Sequence, residues 1–414
     1  MSYRTQTRRF ALFSQALAAG LALLPLGCLS PAQPAANQPL ARPGEAYPIG
    51  ICYFFEPMLP SEPAELEEQI TEDFRRFHDW GFNCVVLKQV PDDRLPMLIE
   101  KAADRNLKVI SSTRDLYHFV RFSEMPAGIG SAEQLVKRYL QNLGRHPALI
   151  MHLLPDEPGP QVEKRAKMIE ALLQKLDPQH PVCRLRRIHL PPVAGEPSPA
   201  PASQPSFDSV SSEPPSEKHP GWLTRYVQGL REQVDEFPLG RRFLLLPTSG
   251  PWTPDGIAPE WWSHLYHECL ATGWTDGVIF ERYRTLPTGT GGLVDQDRTV
   301  TTRLAAMLKQ FTAEIAEWGP MLEGMELVTR SAANDPSTIL SAYFSNGRRR
   351  LLLLYNRRFD TFANEDVSVL PDLETHPITR AIDLKNGERH FRRGSNLKIP
   401  LRLKPAQGRL YELF

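Results

Sequence analysis

The chain has 414 residues, 41% of them hydrophobic, enough for one large domain with a smaller one beside it or for several ordinary domains. Lys plus Arg and Asp plus Glu balance at 48 each. That balance, with no basic stripe interleaved with aromatics, excludes nucleic acid as an expected partner.

Residues 1–27 are predicted to be an export signal. "YRTQTRR" is a basic leader and "FALFSQALAAGLALLPLG" an apolar stretch too near the start to be counted as fold. Its end, "LPLGC", resembles a bacterial lipoprotein cleavage motif with Gly27 before Cys28, departing from it at Pro25, where Leu is usual. "TRRFAL" also has the look of a weak twin-arginine signal. Lipidation of Cys28 is therefore expected, with the membrane touched only through that anchor; an ordinary secretory peptide cut within "SPAQPAAN" is the alternative. A Pro/Ala-rich tether covers 28–47. The other four cysteines (Cys52, Cys84, Cys183, Cys269) form no C-x-x-C pair, and three lie inside apolar runs. They are expected to be buried thiols. No metal or cofactor is expected.

Beyond the tether, strand-like and helix-like stretches alternate. "PIGICYFF" precedes "ELEEQITEDFRRFHDWG"; "NCVVLKQV" precedes "RLPMLIEKAADRNL"; "KVISST" precedes "SAEQLVKRYLQNLGRHP", with Ser131 as its cap. "ALIMHLL" leads through "PDEPGP" into "VEKRAKMIEALLQKL", and "PVCRLRR" follows as a fifth strand. A Pro-rich insertion at 188–206 breaks the rhythm. "FDSVSS" with "WLTRYVQGLREQVDEF", "RRFLLLPT" with "PEWWSHLYHECLATG", and "DGVIFERY" with "TVTTRLAAMLKQFTAEIAEWG" complete eight strand–helix units. Eight such units predict a (β/α)8 TIM barrel over 48–321, its first and eighth strands neighbours. A doubly wound open sheet is the competitor, but no G-x-G-x-x-G follows the first strand. Over 322–414 short strands divided by turns, with Asn346-Gly347 and Asn386-Gly387 as hairpin signals, predict a small antiparallel β-sandwich-like domain.

Barrel chemistry sits at the C-terminal ends of the strands, which filters the carboxylates. Glu56 follows the first strand, Asp156 and Glu157 the fourth, Glu213 the sixth, and Glu281 lies on the eighth. Two carboxyl groups flanking one bond suit glycoside hydrolysis. No G-x-S-x-G elbow and no H-E-x-x-H points to other chemistry. Each residue also has a plainer role available. Asp156 or Glu157 would cap the following helix, Glu281 would pair with Arg282 or Arg284, and Glu56 and Glu213 would be loop residues. Trp252, Tyr283 and Tyr117 fall at or after strand ends, where they would either stack on sugar rings or pack. Arg114 and Lys88 would hold substrate hydroxyls or anionic sugars, or pair with the carboxylates.

"WGFNCVVL", "HPALIMHLLPDEPG", "FDSVSSEPP", "ATGWTDGVIFERY" and "GRLYELF" together resemble exported TIM-barrel glycoside hydrolases with a C-terminal β-domain, including β-galactosidase-like barrels of the large retaining clan. The resemblance implies that Glu157 is the acid/base. It also implies a nucleophilic Glu ending the seventh strand, but that strand here reads "RRFLLLPTSGPW", without a carboxylate. Glu281 is then the expected partner of Glu157, with Asp156 in support. The expected function is cleavage of a poly- or oligosaccharide outside the cytoplasm. The alternatives are a glycan-binding surface lipoprotein built on a degenerate barrel, and an assembly module whose barrel mouth contacts protein.

Overall fold

A computed structural model describes residues 47–55, 60, 62–144, 146–155, 159–184, 244–246, 259–271, 277–285, 292–295, 297–300, 302–330, 338–358, 362–369, 377–394 and 396–414. Seven parallel strands form one sheet: β1 (Ile49–Phe54), β2 (Cys84–Val90), β3 (Lys108–Thr113), β4 (Leu149–Leu154), β5 (Val182–Arg184), β6 (Leu244–Leu246) and β7 (Val278–Phe280). Their order is β5-β4-β3-β2-β1-β7-β6, every pair parallel. The first strand thus lies against the last, as the barrel reading requires, with Ile49, Gly50 and Ile51 opposite Val278, Ile279 and Phe280. A doubly wound sheet would put those strands apart. Among the described residues the sheet is not closed. The expected sixth strand, 207–212, and its helix, 222–237, lie outside them, as does the insertion at 188–206.

The helices are α1 (Pro63–Asp79), α2 (Leu95–Ala103), α3 (Arg114–Phe122), α4 (Ala132–Leu143), α5 (Pro160–Leu176), α6 (Pro259–Leu270) and α7 (Thr302–Leu322). In α1, Leu66, Ile70, Phe74 and Phe77 recur at helical spacing and are buried as one stripe. Pro63 in its first turn leaves no donor wasted, and Gly81 (φ 85°) turns the chain into β2. The Ser131 hydroxyl accepts from the Gln134 amide at 3.2 Å and caps α4, as expected. Helix α3 was not expected: "RDLYHFVRF" follows β3 with no intervening loop. Thr113 caps it, accepting from the Leu116 amide at 3.4 Å. A strand residue serving as the cap hides the boundary from periodicity.

Two apolar layers result. Outside the sheet, Ile51, Val85, Val109 and Leu154 pack against helix residues such as Phe74, Leu98 and Leu173. Inside, Cys52, Cys84, Val86, Ile110, Met151, Leu153, Cys183 and Ile279 fill the centre, with Phe54 and Ile150 against them. All four described cysteines are buried. Among the described residues no helix is long and apolar enough to cross a membrane.

The C-terminal region is antiparallel and made of β8 (Glu326–Arg330), β9 (Ile339–Ser345), β10 (Arg350–Asn356), β11 (Ala363–Val369), β12 (Arg380–Asp383), β13 (Arg389–Phe391), β14 (Leu397–Leu403) and β15 (Gly408–Leu413). Six strands in the order β13-β12-β15-β10-β9-β8 form one sheet and β11-β14 another. Both hairpin signals hold. Gly347 (φ 77°) turns β9 into β10 and Gly387 (φ 73°) turns β12 into β13. Strand β14 alternates buried and exposed residues, and its Leu397, Ile399 and Leu401 share a core with Tyr343, Leu352 and Leu354 of the larger sheet. Two antiparallel sheets sharing one core fit the expected C-terminal β-domain. Helix α6 meets this region: Glu268 pairs with Arg357 at 3.3 Å and accepts from the Tyr355 hydroxyl, while the His267 ring stacks on Tyr355.

Candidate functional site

Because all seven strands of the sheet are parallel, their C-terminal ends open on one side. There β1 ends at Phe54, β2 at Val90, β3 at Thr113, β4 at Leu154 and β7 at Phe280. Side chains alternate along a strand, so Cys52 and Phe54 share the inner face of β1. Register places Lys88 of β2 opposite Phe54. The Lys88 ammonium lies 5.1 Å from the Phe54 ring centre, and the Arg282 guanidinium lies 5.5 Å from the same ring. Phe54 is thus flanked by two cations, an arrangement its ring quadrupole favours.

Glu281 directly follows β7 and is only 6% exposed, with Arg282 beside it at 5%. A carboxylate buried to that degree needs compensating charge or hydrogen bonds. Cys52 reports the field beneath. Burial pushes its thiol pKa up, the charge and hydrogen bond of Lys88 pull it down, and the Glu281 charge raises it again. Lys88, Glu281 and Arg282 therefore act on one point inside the mouth. Two of these, Lys88 and Glu281, were expected from the sequence. Arg282 entered only as an ion-pair partner for Glu281, and Phe54 was not singled out. The signal for Phe54 was strand parity, since Cys52, Phe54 and the register partner Lys88 share one side.

Arg114 starts α3 immediately after β3, and Tyr117 follows one turn later; both are half-buried. The Tyr117 hydroxyl accepts from the Arg121 guanidinium at 2.7 Å, and that guanidinium lies 5.8 Å from its ring centre. Tyr283 does not stand at the mouth as a free platform. It is 2% exposed and its ring lies 4.6 Å from Phe77 of α1, edge to face. Its hydroxyl donates to Asp73 at 2.8 Å and accepts from Arg76 at 3.2 Å. The chain turns after Glu281, so Tyr283 points to the helix layer, which is the packing role of the two expected for it rather than the sugar-stacking one.

Asp156, Glu157, Glu56, Glu213, Trp252 and Cys28 lie outside the described residues. The described neighbours of the first pair still bear on them. Strand β4 ends at Leu154, Pro155 follows, and α5 starts at Pro160 with Gly159 in the N-cap position. Neither carboxylate therefore occupies the capping position of α5.

No protein-family model and no curated protein matches the sequence. Solved structures do match in fold. A noncanonical maltogenic α-amylase from Thermotoga neapolitana aligns over 89% of this chain and 98% of its own, with TM-score 0.52 and 10% identity. AmyP, crystallised with maltose, aligns over 89% and 96%, with TM-score 0.55 and 12% identity. A glycoside hydrolase family 5 protein from Bacteroides vulgatus aligns over 91% and 93%, with TM-score 0.56 and 9% identity. The chain has a glycoside hydrolase-like fold: a parallel sheet that fits a TIM barrel, with antiparallel sheets that fit a C-terminal β-domain.

Proposed function

We propose that this protein hydrolyses a glycosidic bond in a poly- or oligosaccharide, at the mouth of a closed (β/α)8 barrel. The observation that carries the reading is Glu281, buried at the C-terminal end of β7 beside the Lys88–Phe54–Arg282 cluster. Glu157, placed in sequence just after β4, is the general acid. Glu281 is its partner as base or nucleophile, and Asp156 holds the field that keeps Glu157 protonated. Lys88 and Arg282 orient substrate hydroxyls or an anionic sugar. Arg114, Tyr117, Glu56, Glu213 and Trp252 complete the rim. Carbohydrates are the ligands of structural neighbours, maltose in one and acarbose in another, which supports a sugar as the ligand here.

We place the reaction outside the cytoplasm, with the chain anchored through lipidated Cys28. The sequence of residues 1–28 supports this.

The test is turnover on a panel of glycosides by the wild type, Glu157→Gln and Glu281→Gln. Loss in both variants, with folding intact, supports the pair. The second reading is a glycan binder without catalysis. Its support is the run after β6, "PTSGPW", which has no carboxylate where a retaining barrel supplies its nucleophile. Saturable oligosaccharide binding without turnover by the wild type would establish that reading and end the first.

A further inference from the structure

A second cluster lies on the opposite side of the β4 wall from the mouth. Met151 and Leu153 belong to the interior core, whereas His152 points outward, towards α4 and the end of α5. Its ring is fully buried, and its Nε2 lies 3.0 Å from Oδ2 of Asp177. His180 brings Nδ1 to 2.8 Å from the same oxygen. The three donor atoms all lie within 4.8 Å of one another.

The backbone fixes this geometry. Asp177 is the C-cap of α5, its amide donating to the Leu173 carbonyl at 2.7 Å. The His152 amide donates to the Pro181 carbonyl at 2.9 Å, and β4 pairs with β5 with His152 opposite Val182. The turn "DPQHP" carries Asp177 and His180 three residues apart, held between a helix end and a strand start with a proline after each ligand.

We propose that His152, Asp177 and His180 bind a divalent transition-metal ion of the zinc class. Two imidazoles and one carboxylate are a donor set such ions take, leaving a fourth position for water. With bonds of about 2.0–2.1 Å, tetrahedral ligands stand roughly 3.3 Å apart; the two nitrogen–oxygen spacings, 3.0 and 2.8 Å, would open by only tenths of an ångström, and the two imidazole nitrogens, within 4.8 Å of each other, would adjust to the ion. The support behind the first ligand is also in place. Nδ1 of His152 lies 3.0 Å from the Tyr139 hydroxyl, which itself lies 3.0 Å from the Ser111 carbonyl oxygen. If Tyr139 donates to Ser111, His152 donates through Nδ1. Its Nε2 then carries a lone pair aimed at a carboxylate, which a bridging cation resolves. A cation there also meets the negative end of α5. Asp177 and His180 are partly exposed, with side chains 12% and 16% accessible, and give the ion its way in. The site braces the return from α5 into β5 and takes no part in the chemistry at the mouth.

The experiment uses the purified full chain, stripped with chelator and titrated with Zn²⁺ alone, then with Co²⁺ as a spectroscopic probe. The expected result is one equivalent bound, visible d–d bands of four-coordinate Co²⁺, and a melting temperature that rises with Zn²⁺. Asp177→Asn and His180→Gln should each weaken binding by about 10–100-fold or more and remove the rise in melting temperature. Because His152 is fully buried and its replacement threatens folding, the two partly exposed ligands carry the test. If the wild type takes up no stoichiometric metal, the three residues form a hydrogen-bonded triad only and the proposal is overturned. Unchanged affinity in both variants, which puts the metal elsewhere, overturns it equally.

Discussion

Tyr283 separates two roles that a strand-end aromatic can have. Its hydroxyl touches Asp73, which is 1% exposed and also accepts from Arg298 at 2.6 and 2.9 Å and from Tyr53 at 3.0 Å. Burial raises the Asp73 pKa, while the Arg298 charge and the two tyrosine hydroxyls pull the other way. Tyr283→Phe removes one donor from a buried carboxylate and leaves the ring in place. A hydrogen bond to a charged group contributes about 1.5–3 kcal/mol, so the variant should lose stability of that order. Tyr283→Ala also deletes a ring packed on Phe77, Tyr53 and Trp80 and should cost about 3–5 kcal/mol. Urea unfolding reads this as a lower midpoint at unchanged slope. Carbohydrate affinity and turnover of the folded Phe variant should equal those of the wild type. Unchanged stability with weakened sugar binding would refute the assignment and return Tyr283 to the mouth.

Glu281→Gln keeps the shape of the side chain and removes its charge; turnover on the best glycoside should fall by about 10²–10⁴-fold, with circular dichroism unchanged. His264 is buried against Tyr355, and burial, then the charges of His267 and Arg357, hold its pKa well below the ordinary imidazole value. Above about pH 6.5 both folded and unfolded chains carry it neutral, whereas below that value only the unfolded chain takes up the proton. Stability should therefore decline as pH falls from about 6.5, and His264→Gln should flatten the slope of unfolding midpoint against pH. Cys28→Ser should abolish incorporation of labelled fatty acid and move the protein from the membrane to the soluble fraction on ultracentrifugation.

The parallel region was legible because each strand–helix unit repeats the same two periods. The buried stripe of α1 and the alternation in β14 appear directly in the sequence. Its topology was legible too, since a right-handed series of such units leaves the first strand beside the last. Helix α3 was missed because its cap, Thr113, is also the last residue of β3, so no polar loop announced the change of period. At the mouth, the position of Glu281 could be read from the strand that carries it. The direction of Tyr283 could not, because three residues past the end of β7 the alternation no longer holds. The His152–Asp177–His180 cluster was illegible for another reason. Two of its members are three residues apart, but the third comes from β4, and only strand pairing brings it across.

For Glu157, the structure around it narrows the choice between proton donor and helix cap. A helix start has free amides that a side-chain oxygen can satisfy, an effect of about 0.5–2 kcal/mol when the capping residue is Ser, Thr, Asp or Asn. In α5 the capping position belongs to Gly159 (φ 142°), a conformation glycine adopts at little cost, and Pro160 follows in the first turn with no amide to satisfy. Both residues set the helix start without help from a carboxylate two or three positions upstream. A chain that leaves the cap to glycine and puts Asp156 and Glu157 just beyond Pro155 keeps two carboxyl groups next to the end of β4, the end at which barrel enzymes do their chemistry. That placement in the sequence is what supports the proton-donor role proposed for Glu157.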